Sequence, residues 1–171
     1  MSLMISEKSL TCESNEFCLI SSELLRAGIT IRFKAVGKSM HPLIRDGDIL
    51  FVAPVKPFNI RLGDVVLFTN HSGRPIIHRV IKIRKCGEEP CLLIRGDRSI
   101  QSDGYISLSS VYGLVIKIDR EGTLIKSEGP IFKFLGKLAS WHSRIQSGNT
   151  WFYRMVFQIL KRLPVFSRYL S

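Results

Sequence analysis

The sequence has no long hydrophobic run, although 45% of its 171 residues are hydrophobic. A membrane-spanning helix needs roughly 18 uninterrupted apolar residues, and no window of the chain provides them. The first residues also lack the basic-then-apolar order of a secretory signal, so we expect no N-terminal membrane anchor. These absences predict a cytoplasmic location.

Metal-binding patterns are missing as well. The four cysteines, Cys12, Cys18, Cys86 and Cys91, form no Cys-x-x-Cys pair and have no histidine at zinc-finger spacing. We therefore predict no metal site and no cofactor, and we interpret the cysteines as free thiols. Cys86 and Cys91 could face each other across a hairpin, but a reducing compartment makes a structural disulfide there improbable.

Acidic residues are scarce and do not occur after Glu128, so the net charge is +11. This charge favours an anionic partner. Basic residues are scattered among aromatic and aliphatic residues through 131–168, which is predicted to form helices at about 131–145 and 151–163. The tail could bind an anionic membrane surface on the inner face of the membrane, or its helices could pack on the sheet, and the sequence favours neither.

Repeated β-strand patterns are what the sequence does contain. Six β-rich runs follow one another without helices between them, at 29–36, 48–55, 64–70, 75–83, 91–97 and 111–118. Gly, Asp and Pro between the runs supply tight turns. We predict a mainly β fold, a small antiparallel meander or partly open barrel.

Three segments follow from this pattern. Residues 1–27 contain one short amphipathic helix, from about Asn15 to Arg26, which Gly28 ends. Residues 28–128 form the β-rich domain, and 129–171 form the basic helical tail. The single helix before the strands leaves no room for a helix-turn-helix, so no nucleic-acid partner is expected.

Ser39 and His78 are the clearest candidates for catalytic residues. Ser39 follows a predicted strand and enters a turn, where a serine most often makes structural hydrogen bonds. Alternation along 75–83 places His78 on one face of its strand with Ile76 and Val80. A serine hydroxyl becomes a useful nucleophile when a base takes its proton, and an imidazole is suited to that role.

The order of short motifs along the chain resembles the signal peptidase I clan of serine endopeptidases. The motifs are Gly37-Lys38-Ser39-Met40, Gly63-Asp64, His78-Arg79-Val80, and Gly96-Asp97 followed by Asp103. The bacterial enzymes of the clan use a lysine as the base. The histidine in this chain instead resembles the endoplasmic-reticulum and archaeal branch. The Gly-x-Ser-Met flank is similar to that of LexA-type self-cleaving repressors of the same clan.

The resemblance implies specific roles. Ser39 would be the nucleophile, His78 the general base and Asp103 the carboxylate that assists the histidine. Asp97 is the structural or alternative carboxylate, although Asp103 also lies in a good turn sequence. The residues around the serine would contact substrate: Gly37, Lys38, Met40 and Pro42.

One departure from that branch concerns the oxyanion site. Its members usually have a serine two positions before the nucleophile, where this chain has Gly37. Loss of one oxyanion donor can lower the rate by about 10²–10³, although backbone N–H groups can serve instead. The resemblance implies cleavage of a leader or signal-like peptide after a small residue.

Two alternatives remain at this stage. The chain could be an inactive peptide-binding or membrane-docking module of the same fold. It could also cleave itself in the manner of LexA, for which Ala27-Gly28 is a candidate bond.

Overall fold

The computed structural model describes residues 14–55, 60–70, 72–127 and Phe132. Helix α1 spans Ser14–Arg26, close to its predicted bounds. The strands are β1 Ile31–Lys34, β2 Ile49–Pro54, β3 Val65–Thr69, β4 Pro75–Cys86, β5 Glu89–Arg95, β6 Gly104–Ser107, β7 Val111–Arg120 and β8 Thr123–Lys126. The tail helices predicted within 131–168 lie outside the described residues, apart from Phe132.

The eight strands form one antiparallel sheet. Its order is β1-β2-β7-β3-β4-β5-β6, and β8 pairs with the second half of β7. Strands β1 and β6 lie at opposite ends, so the sheet is open and the barrel is not closed. The prediction of a mainly β antiparallel fold with a short N-terminal helix is confirmed.

Strand β3 is buried on both of its faces. Val65 and Leu67 point into a first core, which also receives residues of α1 and of the loop between β1 and β2. Val66 and Phe68 point into a second core, built mainly from β4, β5 and β6. Both faces of the sheet centre are therefore covered with apolar side chains.

Strand β4 has the predicted alternation around its histidine. Ile76 and Val80 contribute to the second core, on the face that carries His78, whereas Ile77 packs against the first core. The pairing with β5 shifts by one residue after Val80. This bulge ends the regular alternation before the strand continues into an exposed hairpin.

The cysteines differ from the prediction. Cys86 and Cys91 lie on the paired strands β4 and β5, with Cα atoms 5.7 Å apart, and form a disulfide. Interpretation of these two as free thiols was wrong, because hairpin pairing brings them within bonding range. Cys18 is a free thiol 3.6 Å from the Tyr112 hydroxyl. Burial, followed by this hydrogen bond, raises the pKa of Tyr112 well above its usual range.

Within the described part of the chain, no helix has the length and apolarity needed to cross a bilayer. Phe132, the one described residue of the tail, is 3% exposed and belongs to the first core. Phe132 therefore packs against the sheet.

Candidate active site

Ser39 is exposed in the loop between β1 and β2. Asp48, which ends this loop, is 4% exposed and accepts hydrogen bonds from the Arg45 backbone N–H at 2.8 Å and from Arg120 Nη2 at 2.7 Å. Arg120 also donates to the Leu43 carbonyl at 2.9 Å. Burial and the neighbouring Arg120 charge lower the pKa of Arg45. These contacts fasten the loop to β7.

The residues on either side of Ser39 differ in exposure. The Gly37 N–H donates to Asp46 Oδ1 at 2.8 Å, and its φ of +104° is one that glycine adopts readily. Lys38 is exposed, whereas Met40 and Pro42 are buried. Of the predicted substrate-contacting residues, Gly37 and Lys38 are therefore exposed to solvent, whereas the side chains of Met40 and Pro42 lie in the protein interior.

His78 lies between Ser39 and Asp103. Its Nε2 is 3.0 Å from Ser39 Oγ, and its Nδ1 is 2.6 Å from Asp103 Oδ2. The carboxylate favours the tautomer in which Nδ1 carries the proton, which leaves Nε2 to accept from the serine hydroxyl. His78 is 8% exposed, and its ring lies 6.3 Å from that of Phe68.

Asp97 has a different partner. Arg79 Nε and Nη2 donate to its two oxygens at 2.7 and 2.6 Å, and the two side chains are 0% and 3% exposed. Arg79 also donates to the Gly63 carbonyl at 2.6 Å, and its guanidinium lies 5.2 Å from the Phe132 ring centroid. The structure thus separates the two candidate carboxylates, one beside the imidazole and the other in a buried ion pair.

Gly96 is a site residue that sequence reasoning missed. A Cβ on Gly96 would lie 2.9 Å from both His78 Nε2 and the Ser39 carbonyl oxygen, and 2.8 Å from Ser99 Oγ. The Ser39 carbonyl also accepts from the Arg98 N–H at 2.8 Å. In the sequence, Gly96 looks like an ordinary turn glycine of Arg-Gly-Asp, so only the fold reveals this close approach.

Arg79 and Arg120 were also given no role by the sequence. Each occurs within an alternating strand, where an arginine normally extends to solvent. The only signal was the presence of aspartates at distant turns, and sequence spacing does not show which arginine meets which aspartate. Among the described residues, no group of three or more His, Cys, Asp or Glu could hold a metal ion.

The Ala27-Gly28 bond lies at the C-terminal end of α1. The Gly28 N–H donates to the Leu25 carbonyl and the Ile29 N–H to the Leu24 carbonyl, and Gly28 has a φ of +83°. This pairing is a Schellman cap. A peptide that binds by adding a strand to a sheet edge is extended. The Ala27-Gly28 bond would therefore have to leave the helix cap before cleavage.

The Peptidase S24-like family model matches residues 6–89. The matched range includes Ser39 and His78 and ends before Asp97 and Asp103. This match supports the clan of signal peptidase I and LexA-like serine peptidases, and with it a serine peptidase-type function. No curated protein matches the chain.

Proposed function

Since its family match supports a place in the clan of signal peptidase I and LexA-like serine peptidases, we propose that this chain is a serine endopeptidase. Ser39 is the nucleophile, His78 the general base and Asp103 the carboxylate that orients the imidazole. The observation that carries the proposal is the continuous hydrogen-bonded row from Ser39 Oγ through His78 to Asp103. The distances are within the range expected for a serine nucleophile and its base.

The chemistry follows from this row. His78 Nε2 takes the Ser39 proton as Oγ attacks the substrate carbonyl carbon, and the imidazolium then protonates the leaving amine as the C–N bond breaks. Water attacks the resulting ester, His78 takes a water proton, and that proton returns to Ser39 when the acyl bond breaks. Asp103 stabilises the imidazolium in both halves of the cycle.

Backbone groups are the proposed oxyanion donors. The Gly37 N–H is already bonded to Asp46. By contrast, the N–H groups of Ser39 and Met40 donate to none of the residues that the structure describes. These two N–H groups flank the nucleophile and would replace the missing serine side chain, because donors aimed at the developing charge are what stabilises the transition state.

An extended peptide is the proposed substrate form, with a small residue at the cleaved bond. Strand β1 leads directly into the Ser39 loop and, among the described strands, pairs only with β2. Its open edge offers backbone N–H and C=O groups to an added strand. A peptide bound there would run toward the serine.

Labelling by a serine-directed fluorophosphonate tests the proposal. Wild type should be labelled on Ser39, as located by mass spectrometry, and Ser39→Ala and His78→Ala should lose the label. Ser72→Ala, which removes an exposed hydroxyl outside the site, should be labelled like wild type. Equal labelling of Ser39→Ala and wild type would refute the assignment.

A further inference from the structure

Two segments meet at Ser39, and each carries one exposed aliphatic side chain and one exposed cationic side chain. On the Ser39 loop, Val36 is 91% exposed and Lys38 is exposed. On the segment between β5 and β6, Arg98 is exposed and Ile100 is 81% exposed. The hydrogen bond from the Arg98 N–H to the Ser39 carbonyl joins the segments at the nucleophile. We call these four residues the basic rim.

The carboxylates near the site are bonded elsewhere. Asp46 accepts from the backbone N–H that opens the Ser39 loop. Asp97 is held in its buried ion pair, and Asp103 is bonded to the imidazole. Neither Lys38 nor Arg98 forms an ion pair with a residue that the structure describes. The two residues that adjoin Ser39, Lys38 along the chain and Arg98 through its backbone hydrogen bond, therefore carry positive charges that no ion pair among the described residues compensates.

The aliphatic members of the rim add a second preference. Side chains as exposed as Val36 and Ile100 stabilise a complex when a ligand covers them, by about 25 cal/mol for each Å² of apolar surface removed from water. A ligand that satisfies the rim must offer carboxylates and apolar carbon together. An acidic, partly aliphatic peptide has both.

We propose that the basic rim selects peptide substrates with acidic side chains on both sides of the scissile bond and an aliphatic residue nearby. The inference rests on the proposed peptidase function, because it names the class of substrate for that site. A peptide fits better than an anionic membrane, since a bilayer covering Lys38 and Arg98 would also cover Ser39, which must receive the scissile bond.

The expected preference is moderate. An exposed ion pair changes an equilibrium by about twofold to fivefold, so the two cations together should favour an acidic peptide by about tenfold over a neutral one. Salt screens such contacts, and the preference should shrink at high ionic strength.

Binding to the full-length Ser39→Ala variant measures the preference without cleavage. The probes are fluorescein-labelled peptides with an Ala-Gln-Ala core that carry Asp, Asn or Lys on each side, together with one leucine. Fluorescence anisotropy should give the tightest binding for the Asp peptide. Adding Lys38→Gln and Arg98→Gln should abolish the difference between Asp and Asn peptides, and Lys38→Glu with Arg98→Glu should favour the Lys peptide.

Lys85→Gln is the matched control. Lys85 is exposed on β4, seven residues beyond His78 and about 20 Å away along the strand. Lys85→Gln removes one positive charge, as Lys38→Gln does alone, and should leave the preference intact. Equal affinity for the Asp and Asn peptides, or an equal loss with Lys85→Gln, would overturn the inference. So would anionic vesicles binding through Lys38 and Arg98 in preference to the Asp peptide.

Cleavage of the same peptides by wild type separates this inference from the proposed function. Cleavage of the Asp and Asn peptides at equal rates would refute substrate selection by the basic rim and would support the peptidase function. Tight binding of the Asp peptide without cleavage of any probe would retain the rim and count against the peptidase.

Discussion

His78 and Arg79 are consecutive on β4, and their side chains hold different aspartates of one segment. Because successive strand residues point to opposite faces, His78 meets Asp103 on one side while Arg79 meets Asp97 on the other. Sequence reasoning left both aspartates open as catalytic candidates. Their surroundings differ, because one contacts the imidazole and the other a buried guanidinium.

Substitution of each aspartate should have a different effect. Asp103→Asn should lower the rate of peptide cleavage by about 10⁴, because the histidine loses the partner that fixes its tautomer, with little change in stability. Asp97→Asn should lower the free energy of unfolding by about 3–5 kcal/mol, because it leaves Arg79 buried without its ion pair. Urea unfolding and peptide cleavage measure the two effects. A stable but inactive Asp97→Asn variant would reverse the assignment.

Gly96→Ala tests the close packing at Ser39, the proposed nucleophile. The added Cβ must displace His78 or Ser39, and a misplacement of about 1 Å can cost about 10² in rate. Gly113→Ala is the control, because its Cβ would meet core side chains of Val52 and Leu25 instead. We expect Gly96→Ala to lower cleavage activity more than Gly113→Ala does. We expect Gly113→Ala to lower the melting temperature more than Gly96→Ala does. Unchanged cleavage by Gly96→Ala would contradict this reading of the site.

The site was predictable from sequence only where residue chemistry is distinctive. Ser39, His78 and Asp103 stand out because a hydroxyl, an imidazole and a carboxylate at ordered positions resemble a known constellation. Gly96 and Arg79 do not stand out, since a glycine in a turn and an arginine in a strand are common. Their importance comes from long-range contacts that sequence spacing does not encode.

At the scale of elements, the strand pattern was predictable for long runs and not for short ones. The six predicted runs all contain strands of the sheet. Strands β6 and β8 were missed, because each is a four-residue strand set among polar and turn residues. Strand β1 is equally short but lies within the longer β-rich run 29–36. The extension of β4 to Cys86 was missed too, since Arg84 and Lys85 look like a polar loop until their pairing with β5 is seen.

The β4–β5 hairpin gives a prediction at this scale. Its disulfide closes a short loop, for which chain entropy predicts a stabilisation of about 2 kcal/mol. Urea unfolding in dithiothreitol, or of a Cys86→Ser and Cys91→Ser double variant, should show a loss of that order. Cleavage activity should persist, because the bond lies at the far end of β4 from His78. Loss of activity on reduction would show that the hairpin supports the site.

At the scale of the whole molecule, the first core joins α1, the Ser39 loop and Phe132 on one face of the sheet. Phe132 is part of this core and also lies over the guanidinium of Arg79. Phe132 therefore contributes to the packing of the sheet. The predicted contact of 131–168 with an anionic membrane stays a prediction.

Phe132→Ala measures that contribution. Removing a buried phenylalanine should lower the free energy of unfolding by about 3–5 kcal/mol, because it leaves a cavity beside Arg79 and the first core. Leu124→Ala, at a position 59% exposed on β8, should change stability far less. Thermal and urea unfolding of both variants give the comparison. Equal stability of Phe132→Ala and wild type would show that the contacts of Phe132 are dispensable to the fold.

The buried pair of Arg79 and Asp97 has a consequence for how the enzyme would cycle. In the proposed mechanism the imidazole gains and loses a proton in each turnover, so the attraction between His78 and its carboxylate would rise and fall. The guanidinium next to it on β4 keeps its charge throughout. The segment that carries Asp97 and Asp103 is thus held by one ion pair whose strength would not change during turnover. This ion pair would keep the proton-exchanging groups aligned.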